Sequence, residues 1–455
     1  MTLPDLTRRD ALRLGALAAG AGLLAGALPA TPAAAASRWR TPSVLRATDG
    51  VLALTLTAQQ GLIPFNGTRR WAMTYNGTDL PPQLRLRPGD LLRVRLVNRL
   101  PQMTNLHTHG LHVSPTGASD NPYVMVESGS SFDYEIRIPR NQPVGTFWYH
   151  PHVHGSSAPQ VNLGMAGSIV IEDPTRPSPV PAGATDRTIV LSDPVLGTTS
   201  AVARTTMMDQ MHGRSGTFVL LNGQLDPTIP MTGGRLEFWR LINTSVTRNY
   251  QLTVDSADLH LVGTDGGPLG TALPRSTITL TPGERAEIVV RPRTAGALAV
   301  RDFGTRIATL ASPGALPAAA LRTLAPVPAL ATVDRRRTLT MVETGGMMGG
   351  TPTFDGRPFD AARIDQRVSL GTVEEWTIAN TTHMAHPFHL HVWPYQVVAR
   401  SDGSALPGWR DTVLVPANGW VRIRIAFADI RGKTVYHCHI LDHEDAGMMG
   451  NIVAT

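Results

Sequence analysis

A chain of 455 residues with 42% hydrophobic side chains is long enough for about three folded domains and too apolar to be intrinsically disordered. Its net charge of +6 comes almost wholly from scattered arginines, with Lys433 the only lysine, and no nucleic-acid motif accompanies them, which argues against a nucleic-acid partner. Its single cysteine, Cys438, cannot form an internal disulfide.

The first segment reads as a targeting signal and not as part of the fold. Thr7-Arg8-Arg9-Asp10-Ala11-Leu12 resembles a twin-arginine export signal, and a small-residue apolar run follows from Leu14 to Leu28. An alanine run ending at Ala36 suits a signal peptidase. The signal is placed at 1–36, which implies the twin-arginine export machinery as a partner and a periplasmic or extracellular destination. The run is short and glycine-rich for a spanning helix, and no later segment is long and apolar enough, so no stable membrane span is expected.

Beyond the signal the sequence repeats weakly three times. Each copy has a turn dipeptide, Asn76-Gly77, Asn222-Gly223 or Asp355-Gly356. Each then has a short strand, a glycine turn, and an alternating strand that ends at Asn98, Asn243 or Asn380. Short alternating strands with turn signals and no long amphipathic helix predict an all-β chain of three β-sandwiches. They are placed at 44–173, 186–325 and 336–455, with Pro-rich linkers around 173–186 and 311–335.

Four strings hold ten of the 15 histidines: His107-Thr108-His109-Gly110, His150-Pro151-His152, His386-Pro387-Phe388-His389-Leu390-His391, and His437-Cys438-His439 with His443 behind it. Side chains in a strand alternate faces. His107 and His109 therefore share a face, as do His150 and His152, His389 and His391, and His437 and His439. Four imidazole pairs suit copper or zinc. Cys438 points away from its two histidine neighbours, and His386 has opposite parity to His389 and His391. With His443 and Met448 in the following loop, a second face collects two imidazoles, a thiolate and a thioether. That set suits a blue-copper site and not zinc, which seldom takes thioether ligands.

The strings HTHG, WYHPH, HPFHLH and HCHILDHEDAGMM resemble the four copper-binding motifs of the three-domain multicopper oxidases, from about residue 44 to the end. The resemblance implies three cupredoxin-like Greek-key β-sandwich domains and four copper ions. It implies a type 1 copper on His386, Cys438, His443 and Met448, and a type 2 copper on His107 and His389. The two type 3 coppers would take His109, His150 and His437 on one side, and His152, His391 and His439 on the other. Cys438 would carry electrons, and Glu444 and Asp120 would deliver protons. The implied reaction couples one-electron oxidation of phenols, aromatic amines or metal ions to reduction of dioxygen to water. A cuprous oxidase for copper tolerance is the alternative, and a non-catalytic cell-division scaffold of the same family a disfavoured third. Met207, Met208 and Met211, and the pair Met347-Met348, are candidate Cu(I) contacts. His112, His154, His212, His260 and His383 receive no ligand role, and the second repeat, with two histidines and no cysteine, reads as a spacer.

Overall fold

The computed structural model describes residues 39–317, 321–344 and 350–455. The expected signal at 1–36 and the Met347-Met348 pair lie outside the described residues.

The three turn dipeptides take positive φ at both positions, from 50° to 76°, which is the backbone of a two-residue turn matched to strand twist. Each closes a tight antiparallel link: Tyr75 with Thr78, Leu221 with Gln224, and Phe354 with Arg357. In each unit an earlier strand runs parallel to the strand that ends at asparagine. The registers run from Val51↔Leu91 to Ala58↔Asn98, Thr185↔Glu237 to Leu191↔Asn243, and Arg335↔Glu374 to Met341↔Asn380.

The repeated asparagine has a common task. Asn98 donates to the carbonyls of Gln102 and Val126 and accepts from the N–H of Leu100. Asn243 does the same with Arg248, Leu280 and Ser245, and Asn380 with Met384, Val415 and Thr382. One side chain thus satisfies the loop groups that the ending strand leaves unpaired.

Six sheets form three sandwiches. The first joins a five-stranded and a four-stranded sheet between Val44 and Ile171. The second joins seven and five strands between Thr185 and Ser312, and the third six and five strands between Arg335 and Ala454. Along Trp420–Phe427, Val421, Ile423, Ile425 and Phe427 point inward while Arg422 and Arg424 stay partly exposed. Each sandwich closes on its own apolar core, where a fully buried Leu, Ile or Phe contributes roughly 1.5–3 kcal/mol. The helices among the described residues are short, as expected for an all-β chain: Ser157–Asn162, Met207–His212, Leu441–Asp445 and a 3₁₀ turn at Ser200–Ala203.

A fourth apolar cluster ties the three sandwiches together. Leu80, Trp148, Ala158, Val161 and Ala166 come from the first, Val190, Ile242 and Val246 from the second, and Leu441 from the third. This junction lies next to the histidine strings, because Trp148 stacks on His150 and Leu441 follows His439 by two residues.

Candidate metal centre

Strand pairing gathers the histidines. In the first sandwich His107–His109 pairs antiparallel with Gly145–His150, which sets His107 opposite His150. In the third, His386–Leu390 lies between Thr412–Val415 and Gly432–Cys438, with His389 opposite His437 and Phe388 opposite Cys438. The expected alternation holds: His389 and His437 turn toward the first sandwich, and Cys438 enters the core of the third. All ten string histidines, Cys438 and Met448 are buried.

The ligand atoms fall into four groups, within each of which every atom lies within 4.8 Å of the others. They are His107, His109 and His389; His109, His150 and His439; His152, His391 and His437; and His386, Cys438 and His443. Two rings exchange places relative to the expectation: His439, not His437, joins His109 and His150. Strand parity sends both rings to one face but does not say which end of it each reaches. His437 Nε2 lies 3.0 Å from His152 Nε2 and 3.2 Å from His391 Nε2. His439 lies just past the strand end, where its N–H donates to Pro387 O at 2.8 Å and its ring meets His109 edge-on.

The free atoms test whether a metal fits. His107 Nδ1 is anchored by Asp120, His389 Nδ1 by Asp411 O, His150 Nδ1 by Pro151 O, and His109 Nε2 by Asp411 Oδ1. The opposite nitrogens, His107 Nε2, His389 Nε2, His150 Nε2 and His109 Nδ1, are buried without a hydrogen-bond partner. One nitrogen anchored and the other free is how ligating histidines are oriented. Burial, and then neighbouring imidazoles, hold His107, His109, His150, His391, His437 and His439 well below the ordinary histidine range. Burial likewise lowers His152 and His443 to about 3 and His386 to about 4. Converging neutral rings with free nitrogens suit a cation.

The fourth group has softer chemistry. Cys438 Sγ lies 3.6 Å from His386 Nδ1 and 3.8 Å from His443 Nδ1, and the two nitrogens are 3.2 Å apart. His386 Nε2 is held by Thr382 Oγ1 at 2.8 Å, and Thr382 is itself held by Asn380, so the third repeat's asparagine reaches the site. Met448 closes the loop: its carbonyl accepts from Cys438 N at 3.1 Å, and its N–H donates to His443 O at 2.8 Å. Burial pushes the Cys438 thiol far above its usual range, so a thiolate there needs a cation beside it.

Family models described as multicopper oxidase match residues 57–176, 188–313 and 332–455. A multicopper oxidase mco of Staphylococcus haemolyticus (strain JCSC1435) is 30% identical over 422 residues, covering 90% of this chain and 89% of the relative. The chain belongs to the multicopper oxidase family.

Family membership brings copper as the metal, which the donor set fits. A solved multicopper oxidase from Campylobacter jejuni, described as a metallo-oxidase, superposes with a TM-score of 0.78 at 27% identity, covering 91% of this chain and 94% of that one. The cell division protein FtsP of Escherichia coli (strain K12) is 28% identical over 485 residues, covering 99% of each chain.

Both carboxylates expected from the sequence, Asp120 and Glu444, are buried against the histidine cluster. Asp120 contacts His107 Nδ1 at 3.0 Å and accepts from Thr108 N at 3.0 Å. Burial raises its carboxyl to about 7 against the Thr108 bonds. Glu444 Oε2 lies 3.2 Å from His437 Nδ1, and Oε1 accepts from Ser157 Oγ at 2.8 Å and lies 3.7 Å from His152 Nδ1. Burial, and then Asp445, hold Glu444 well above the carboxylate range.

Sequence reasoning missed several residues that shape the site. Asp411 touches both His109 and His389, and Arg285 holds Asp411. Burial alone would raise Asp411, but Arg285 and His109 outweigh it and hold its carboxyl well below the usual range. Met211 O accepts from His443 Nε2 at 3.3 Å, and Arg214 pairs with Asp442 beside it. The second sandwich is therefore more than a spacer. His154 is exposed against Phe359, His112 bridges to Val392 O and Asp429, and His383 pairs with Glu343; none joins a group.

Proposed function

We propose that this chain is an exported oxidase that takes electrons singly from a phenol, an aromatic amine or a metal ion and uses four of them, with four protons, to reduce dioxygen to two waters. The observation that carries the reading is the filled donor set: two histidine groups with free buried nitrogens and a third whose Nε2 atoms converge on one another at 3.0 and 3.2 Å, beside a Cys-His-His group. On this reading His386, Cys438 and His443, with Met448, hold a type 1 copper, and His107 and His389 a type 2 copper. The two type 3 coppers fall to His109, His150 and His439, and to His152, His391 and His437. Copper at these positions supplies the one-electron redox changes and the reduction of dioxygen.

The chain supplies the connection and the protons. Cys438 is peptide-bonded to both His437 and His439, and these two enter different groups, so one residue leads to both. Glu444, whose carboxyl is raised above its usual range by burial beside His437 and His152, is the proton donor on that side. Asp120 serves the side of His107.

Export rests on the resemblance of Thr7–Leu12 to a twin-arginine signal, with the periplasm or the exterior as destination. Among the described residues no helix is long and apolar enough to cross a membrane.

One observation favours the cuprous oxidase reading as the second. The helix Met207–His212 lies over His443 through the Met211 carbonyl, and Met207 and Met208 are exposed on it. Thioethers at that position suit Cu(I). A non-catalytic cell-division scaffold, the third expectation, has less support, since such a role needs none of the converging free nitrogens. The test is the copper-loaded protein, which should be blue and should consume oxygen with a one-electron donor. A colourless protein carrying four coppers would sink the type 1 assignment. Comparing Cu(I) with a methoxylated phenol, with and without added copper, separates the first two readings.

A further inference from the structure

The second sandwich inserts one side chain between the other two. Arg285 is fully buried, and all five of its N–H donors are used. Nε donates to Thr146 O of the first sandwich at 3.1 Å. Nη1 donates to Gly283 O at 3.0 Å, and Nη2 to Asp265 O at 3.0 Å. The remaining two form a fork on Asp411 of the third sandwich, Nη1 to Oδ1 at 2.7 Å and Nη2 to Oδ2 at 2.5 Å.

Asp411 passes this fixation on to two ligands. Its Oδ1 accepts from His109 Nε2 at 3.1 Å, and its backbone carbonyl accepts from His389 Nδ1 at 2.9 Å. Both contacts leave the other ring nitrogen, His109 Nδ1 and His389 Nε2, free and buried. Two glycines make room for the arrangement. Gly110, with φ +86°, closes the first histidine string; a Cβ there would collide with Arg285 Nη2 and stand 2.6 Å from Asp411 Oδ2. Gly283, two residues before Arg285, lies so close to His439 that a Cβ would fall 2.8 Å from its ring.

We infer that Arg285 is a positioning residue of the histidine cluster: through Asp411 it sets the orientation of His109 and His389, and with the Gly283 turn it makes the second sandwich the third wall of the copper site. This deepens the proposed function and rests on that reading. A planar fork is the feature that matters. Lysine keeps the charge but offers three donors from one point and cannot hold both carboxylate oxygens while satisfying three carbonyls. The same geometry accounts for the glycine after His109, which no ligand argument requires.

The test compares the wild-type chain with Arg285→Lys and with Gly110→Ala, which crowds the fork without removing it. Each is loaded with copper and dialysed against a graded chelator. Copper per chain, the blue type 1 band and the type 2 paramagnetic resonance signal are followed, with thermal unfolding of the copper-free chains as a control for folding. Both variants should keep the blue band and lose the other coppers at chelator concentrations about 10- to 100-fold lower than wild type, the usual cost of removing an outer support of a ligand. The type 2 signal should change shape before it disappears. If either variant folds and keeps all its copper with the wild-type signal, Arg285 does not position these ligands. A wild-type chain that binds copper only at the Cys438 group would instead overturn the oxidase reading, and this assignment with it.

Discussion

His437 and Cys438 are covalent neighbours that serve different sites. His437 Nε2 lies 3.0 Å from His152 Nε2, in the cluster shared with the first sandwich, while Cys438 Sγ lies 3.6 Å from His386 Nδ1, inside the third. Strand alternation alone accomplishes this, since adjacent side chains leave opposite faces.

The two sites should therefore be separable by mutation. Cys438→Ser removes the only sulfur anion available to the type 1 group and leaves the three histidine groups intact. We expect loss of the blue band and a fall of oxygen uptake to background, while most of the remaining copper stays bound. Parallel metal analysis and oxygen-electrode assays check this. A Ser variant that still turned over phenols would refute the route through this residue.

Without copper, the buried histidines should make the protein acid-labile. His152 and His443 fall to about 3 and His386 to about 4 in the fold, against 6.5 for the free side chain. With the folded value depressed, the unfolded chain takes up protons first as pH drops below 6.5, and stability is lost until the folded values are reached. The slope approaches about 1.4 kcal/mol per pH unit for each ring well below 6.5, so these three together cost about 7 kcal/mol between pH 6.5 and 4.5, a large share of a typical total. Urea unfolding of the copper-free chain across this range should show a steep decline, and the copper-loaded chain a shallower one. A flat profile for the copper-free chain would contradict the burial that lowers these rings.

Much of this arrangement is legible in the sequence. The histidine strings carry their own geometry, because period-two alternation assigns each ring to a face, and the turn dipeptides and terminal asparagines mark each unit. Two things are not legible. Parity does not order residues along a face, which is why His437 and His439 exchange partners. Arg285 and Asp411 stand 126 positions apart in different sandwiches, and neither belongs to a spaced motif. Only the packing of three sandwiches on the junction around Trp148 and Leu441 brings them together.

Glu444 offers a sharper test of proton supply than of copper binding. Glutamine keeps its shape and its bond with Ser157 but cannot release a carboxyl proton. Glu444→Gln should lower oxygen reduction by about 10²-fold or more, the usual scale for losing a positioned acid, with the blue band and copper content unchanged. Turnover within about twofold of wild type would remove Glu444 from the mechanism.

The exposed methionines decide between the two donor classes. Thr206 and Asp209 cap the helix Met207–His212 reciprocally, and Met211 O fixes it to His443, so the helix does not depend on Met207 or Met208. These two side chains are 74% and 61% exposed, and replacing them should change stability by no more than about 0.5 kcal/mol. A chain carrying both Met207→Ser and Met208→Ser should oxidise a phenol at the wild-type rate. If Cu(I) is the natural donor, the same chain should lose about tenfold or more in Cu(I) turnover at low copper, because the soft ligands that collect the ion beside His443 are gone. Equal Cu(I) turnover in the two proteins would leave the phenol-type reading in possession of the site and remove the helix from substrate capture.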